Sequence, residues 1–268
     1  SARRALAQQL RGRFDTAYIC PNSLKSALLP WWAHIARRVG YRGESRTLLL
    51  TQALPNPTKG ARPPMVAFYS ALSGEAGLET DRPSLHMEPA AADAALTALS
   101  LQRGAYYVFA PGAEYGPAKR WPAAHFAALA QQLPLPVVLL GSSKESGLCR
   151  EIATAANATR PGQCLDFSGK TSLDQALAVI AAARAMVSND SGLMHVAAAF
   201  GVPQVALFGS SSPLHTPPLS HRDHVIWLKN DASYQPALDC APCFARTCPL
   251  GHTRCLVDIT PEQVLRYL

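Results

Sequence analysis

The chain predicts an α/β fold, doubly wound over its second half. Three observations carry this. From Gly104 onward, apolar runs alternate with helical patterns of roughly ten to fifteen residues, the rhythm of a parallel sheet with crossover helices. Hydrophobic residues make up 48% of the 268 residues and charged ones 16%, enough for a sizeable core and unlike a disordered chain. No apolar run approaches the ~20 residues of a membrane span.

The elements follow in order. "SARRALAQQLRGRF" carries Leu6, Leu10 and Phe14 at helical spacing and predicts an amphipathic helix, not a signal peptide. The chain opens inside that helix without Met, so further sequence is expected upstream. "TAYICP" predicts a strand, "NSLKSALLPWWAHIA" a helix broken or turned at Pro30, and "RVGYRGESR" a basic loop or short strand. Residues 51–89, rich in proline, read as a linker with some helix in "PMVAFYSALSGE". Strands are then expected at "AYYVFAPG", "PVVLLGSS", "CLDFSG", "AMVSN" and "PQVALFG". Between them, helical faces are marked by Phe126, Leu129 and Leu133, by Leu148, Ile152 and Ala155, and by Leu173, Leu177 and Ile180. In "ITPEQVLRYL", Thr260 as N-cap, Pro261 at N1 and Gln263 at N3 announce a terminal helix. The expected division is a partial domain with linker over residues 1–90 and a second domain over residues 91–268.

In a doubly wound domain, ligands bind where strands end and helices begin. Three loops stand there, at 111–121, 141–145 and 189–195. In "SNDSGLMHVAAA", the first N–H groups of a helix are unpartnered and its dipole is positive, which suits a phosphate. Gly192 admits a ligand close to the backbone, Ser191 offers a hydroxyl, and His195 lies on the same face. Asp190 suits sugar hydroxyls or the loop's own N–H groups; equally, Asp190 is a bare N-cap and His195 a packed histidine. In "PGAEYGPAKRW", Lys119 and Arg120 add positive charge, although neither a Walker loop nor G-x-G-x-x-G is present. Glu145 stands at the next strand's mouth as an acceptor for ribose hydroxyls or a plain surface carboxylate.

The formal net charge of +7 fits an anionic partner. Of seven cysteines, Cys20, Cys149 and Cys164 read as buried thiols. The other four, Cys240, Cys243, Cys248 and Cys255, follow C-x2-C-x4-C-x6-C, open to three readings: a structural zinc site, packed thiols or disulfides.

Taken together, "PNSLKSALLP", "PGAEYGPAKRWP", "SNDSGLMHVAAA" and "SSSPLHTPPLSH" resemble the lipopolysaccharide heptosyltransferases of glycosyltransferase family 9, nearest their second type. The resemblance covers nearly the whole chain. It implies a GT-B fold of two Rossmann-like domains, the N-terminal one incomplete here. It implies an inverting transfer of heptose from ADP-L-glycero-D-manno-heptose to the phosphorylated inner core on lipid A, in the cytoplasm at the inner face of the inner membrane. It places Ala113, Glu114, Tyr115, Lys119, Glu145, Thr171, Asp190, Ser191, Gly192, Leu193 and His195 around the donor, with Lys119 and Asp190 catalytic. Lys25, Arg42 and Arg46 fall on the acceptor side. The family's catalytic aspartate, the general base, is expected upstream of residue 1. No cofactor is required, because Lys119 and the helix N-terminus serve the leaving diphosphate, and no nucleic-acid partner is expected. Two other functions compete: a related GT-B transferase with another nucleotide-sugar donor, and a non-catalytic basic binding protein with a zinc clip.

Overall fold

Two compact units divide the chain, Ser1–Asp81 and Arg82–Leu268. The computed structural model describes residues 2–57, 63–74 and 82–268; parts of the expected linker, and Glu75 at the end of its helical stretch, lie outside them.

The larger unit is built on short, apolar strands. β4 (Tyr107–Ala110), β5 (Val137–Leu139), β7 (Met186–Asn189) and β8 (Gln204–Leu207) are buried at every position. Such continuous burial is what a parallel sheet covered on both faces requires. With β6 (Cys164–Asp166) and β9 (Asp223–Ile226) they form one six-stranded sheet in the order β6-β5-β4-β7-β8-β9. Every pairing is parallel, for example Phe109 opposite Leu139 on one side and Val187 on the other. Chain order therefore runs outward from β4 to β6, then jumps back across β4 to β7. The gap between the ends of β4 and β7 is the topological switch point, where doubly wound sheets open a ligand crevice.

Strand alternation splits the core in two. Tyr107, Phe109, Val137, Leu139 and Val187 face α5 (Ala123–Gln132), α6 (Ser146–Thr159) and α10 (Pro261–Leu265) through Phe126, Leu129, Ile152 and Val264. Val108, Ala110, Val138 and Met186 face α4 (Pro89–Ala98), α7 (Leu173–Ala181) and α8 (Gly192–Ala199) through Leu96, Val179, Ile180 and Ala197. Thr260 caps α10 in the expected box with Gln263.

The smaller unit carries three parallel strands in the order β1 (Thr16–Ile19), β2 (Arg37–Tyr41), β3 (Gln52–Leu54). Its core falls into small clusters around Ala7, Ile19 and Phe68. Tyr41 stacks on Phe68 at 4.3 Å and donates its hydroxyl to the Phe68 carbonyl.

Several expectations are corrected. α1 (Ala2–Leu10) buries Ala7, not the Leu6 and Phe14 face, and Phe14 lies beyond the helix, exposed. α2 (Leu24–Trp32) runs through Pro30, which forgoes the bond an N–H there would make to the Ser26 carbonyl, and the helix ends two residues later. α6 presents Cys149, Ile152 and Ala156 to the core, one residue round from the expected face. Leu173, at the first turn of α7, rises above the sheet's edge and is 71% exposed. Cys20, just past the end of β1, is exposed. α3 (Met65–Ser70) is the helix expected in "PMVAFYSALSGE", whereas β3, α4 and β9 replace stretches taken for linker or given no element.

Candidate active site

The pocket at the switch point has a volume of about 620 Å³. Its lower wall is the turn after β4, where Gly112, Ala113, Glu114, Tyr115 and Lys119 line it; the turn after β7 adds Asp190, Ser191, Gly192, Leu193 and His195. Glu145, Thr171, Leu173 and Ala176 close the far side. All eleven residues expected to surround a donor thus line one pocket of the larger unit.

One buried side chain holds the two turns together. Asn189, the last residue of β7, is fully buried and donates through Nδ2 to the Pro111 carbonyl at 2.7 Å. Its Oδ1 accepts from the Trp121 backbone N–H at 3.0 Å. The turn after β4 is therefore tied at both ends to the strand whose end starts the other turn. Sequence reasoning placed Asn189 in the loop and missed this task, although Asn is the side chain able to donate and accept at once.

Lys119 Nζ meets Asp190 Oδ2 at 2.5 Å, with side-chain exposures of 18% and 6%. Thr216, from the turn after β8, donates its hydroxyl to Asp190 Oδ1 at 3.2 Å. Both oxygens of Asp190 are spoken for, so it orients the lysine. The helix cap is Ser191, not Asp190, and the Ser191 hydroxyl makes no cap hydrogen bond. Ser191, Gly192 and Leu193 line the pocket, which places the start of α8, with its unpartnered N–H groups, at the pocket wall. Nothing lies within 4 Å of where a Cβ on Gly192 would stand, so the space beside this pocket-lining glycine is open. His195 reaches the same opening. Desolvation holds its imidazole below the ordinary range, Asp190 opposes, and Lys119 adds to the depression.

Tyr115 steadies the Lys119 turn. Its hydroxyl donates to the Phe244 carbonyl at 2.9 Å, and Lys119 and Arg246 each lie 5.5 Å from its ring. Gly116 packs so close that a Cβ would stand 2.4 Å from the Arg246 carbonyl oxygen, which accepts from Ala118 N–H. Glu145 has a structural task as well: its carboxylate accepts from the Ser142 N–H at 2.7 Å and closes a capping box. The same carboxylate occupies the space of a Cβ at Gly112, so a side chain there would displace it from the box. The S-x-x-E signal for this box stood in "GSSKE".

The three residues expected on the acceptor side part company. Lys25 is exposed, beside an apolar groove of the smaller unit lined by Leu6, Tyr18 and Leu29. Arg42 is exposed and donates to the Ala53 carbonyl at 3.2 Å. Arg46 departs from the expectation: it is fully buried, and its guanidinium donates to Tyr41, Pro21 and Asn22. It braces the turn after β1 and has no surface left for a substrate.

Cys149 and Cys164 are buried in the sheet core, their thiols pushed up to about 11 and about 12 by burial. The other four cysteines line one small cavity. The Cys255 thiol is pushed up to about 11, first by burial, then by Cys240, Cys243 and Cys248 nearby. The Cys248 thiol is lowered by the backbone N–H groups of residues 250–253. Among the described residues, no three His, Cys, Asp or Glu side chains are drawn together tightly enough, as they stand, to hold a metal ion.

Comparison with known proteins agrees with this architecture. The model of glycosyltransferase family 9 (heptosyltransferase) matches residues 3–253. Lipopolysaccharide heptosyltransferase 2 of Escherichia coli is 42% identical over 280 residues, covering 99% of this chain and 78% of that protein. Lipooligosaccharide heptosyltransferase 2 of Haemophilus influenzae is 39% identical over 98% of this chain and 78% of its own length. The solved structure of E. coli ADP-heptose LPS heptosyltransferase II superposes with a TM-score of 0.82 at 41% identity, over 99% of this chain and 78% of that one.

Proposed function

The chain belongs to glycosyltransferase family 9, the heptosyltransferases, and from that premise we propose that its switch-point pocket binds the ADP portion of an ADP-heptose donor. The chain is a glycosyltransferase that moves heptose to the lipopolysaccharide inner core. The larger unit is the donor side of this reading and the smaller unit, with Lys25 and Arg42, the acceptor side. The net charge of +7 suits a phosphorylated acceptor at the cytoplasmic face of a membrane. Among the described residues no helix is long and apolar enough to cross that membrane.

One observation carries the donor assignment. Lys119, the first N–H groups of α8 and His195 converge at the mouth of one pocket, three groups that favour an anion there. The diphosphate lies against them, with the Ser191 hydroxyl as a further donor. The base leans on the apolar wall of Leu173, Ala176 and Leu193, which accounts for an exposed leucine at the start of α7. Thr171 and Glu145 stand near the ribose.

In the transfer, an acceptor hydroxyl attacks the anomeric carbon and the bond from that carbon to the phosphate oxygen breaks. The electron pair leaves with ADP, and the hydroxyl proton passes to a base. Charge grows on the departing phosphate, where Lys119 and the helix N-terminus already wait, oriented by Asp190 and Asn189. This pocket supplies the leaving-group half of the reaction and needs no metal to do so. The four-cysteine segment is given a structural part.

The test is ADP release in a coupled assay with ADP-heptose and an inner-core acceptor. Lys119→Ala is expected to lower kcat by about 10²–10³, the scale of losing one donor to a developing oxyanion. Melting curves show whether the variant is folded. A folded variant that turns over at the wild-type rate would remove Lys119 from the chemistry.

A further inference from the structure

The segment from Cys240 to Cys255 has almost no regular structure, yet it clasps the turn that carries Lys119. Tyr115 donates to the Phe244 carbonyl, Ala118 donates to the Arg246 carbonyl, and the Phe244 N–H donates to the Ser210 carbonyl at 2.7 Å. Something must hold such a strap in shape, because it has few helical or sheet hydrogen bonds of its own. At its centre is a cavity of about 20 Å³, room for one ion or one water. Cys240, Cys243, Cys248, Cys255, His252 and Ser210 line it. Ser210 is 2% exposed, and its Oγ is buried with no hydrogen-bond partner. An orphaned hydroxyl in a chamber of four sulfurs is a mark of a site built around something. The turn 249–253, with Gly251 at φ +73°, closes back on Cys248, whose carbonyl accepts from the Gly251 N–H at 3.2 Å.

We infer that Cys240, Cys243, Cys248 and Cys255 form a thiolate site for one thiophilic divalent ion of the zinc type, which fixes the strap over the Lys119 turn. Closing it requires the four Sγ atoms to swing inward to about 2.3 Å from the ion. Each thiol gives its proton to solvent as its bond to the ion forms: four protons leave, and the closed site carries a net charge of −2. Cys243 is exposed and marks the entry path. Cys149 and Cys164 do not line this cavity and take no part. The inference stands apart from the donor reading, since neither the ion nor its ligands line the donor pocket.

The experiment is a cobalt(II) titration of the full chain, reduced and anaerobic, followed by zinc. One equivalent of cobalt should raise thiolate-to-cobalt charge transfer and tetrahedral d–d absorption, and zinc should bleach both. Zinc should also shield four of the seven thiols from a thiol reagent and raise Tm by about 5 °C or more. Cys243→Ser, at the exposed position, should lose most of the charge-transfer intensity and the zinc-dependent rise in Tm. Strap thiols that react as fast with zinc present as without it, or no charge transfer at several equivalents of cobalt, would overturn the site. So would a Cys243→Ser protein that responds like the wild type.

Discussion

Among single side chains, some hold the pocket and others face its contents. Gly192 faces the contents: its missing side chain is open space, not a conformational need. Gly192→Val should therefore leave the melting temperature within about 2 °C, a surface-like change. By calorimetry it should weaken ADP at least tenfold; equal affinity would put the ligand elsewhere. His195 gives a pH signature. Desolvation keeps it below the ordinary imidazole range in the free chain, and a neighbouring diphosphate raises it on binding. ADP binding then takes up a proton, so the contribution of His195 is small well above neutrality. It grows as pH falls through the bound-state value and levels off below the free-state value. The terminal phosphate of ADP also titrates near pH ~6, but identically for every variant. The affinity ratio of wild type to His195→Gln should thus climb up to about tenfold from pH 8 to pH 5, as it does when the diphosphate raises the imidazole pKa by about one. A flat ratio would remove the imidazole from the diphosphate. Arg46 shows what residues alone conceal. Nothing in "YRGESR" distinguishes an arginine that meets a substrate from one that folds inward to cap carbonyls.

Among the elements, the strands that build the switch point were the most legible part of the chain. β4, β5, β7 and β8 are short apolar runs because both their faces are covered, and burial on both faces leaves a strong trace in sequence. β9 and β3 left little trace. They are edge strands with half-buried or exposed positions, and residues such as Asp223, His224 and Gln52 read as loop. α4 hid in an alanine-rich stretch whose few large apolar residues mark no face. The pairing between the turns after β4 and β7 was not legible at all, since it depends on Asn189 reaching 78 residues back to Pro111. Asn189→Ala leaves the Pro111 carbonyl and the Trp121 N–H buried without their partner. The expected cost is about 2–4 kcal/mol by denaturant unfolding, together with weaker ADP binding as the Lys119 turn loosens. Unchanged stability would mean that the two turns are held by packing alone.

Across the molecule, strand order does the placing. Because the chain winds outward from β4 and returns at β7, two helix-leading turns open side by side, and all the groups expected at the donor fall on them or on the neighbouring turns. The candidate site was legible because family motifs sit on those turns. The strap and its cavity were legible only as a spacing of cysteines. Everything proposed for the reaction turns on ADP occupying this pocket, and a crystal structure of the chain with ADP bound decides it. The expected result puts diphosphate oxygens about 3 Å from the Gly192 and Leu193 N–H groups and from Lys119 Nζ, with adenine against Leu173. ADP seated in the groove of the smaller unit, or a switch-point pocket without nucleotide at saturating ADP, would contradict it.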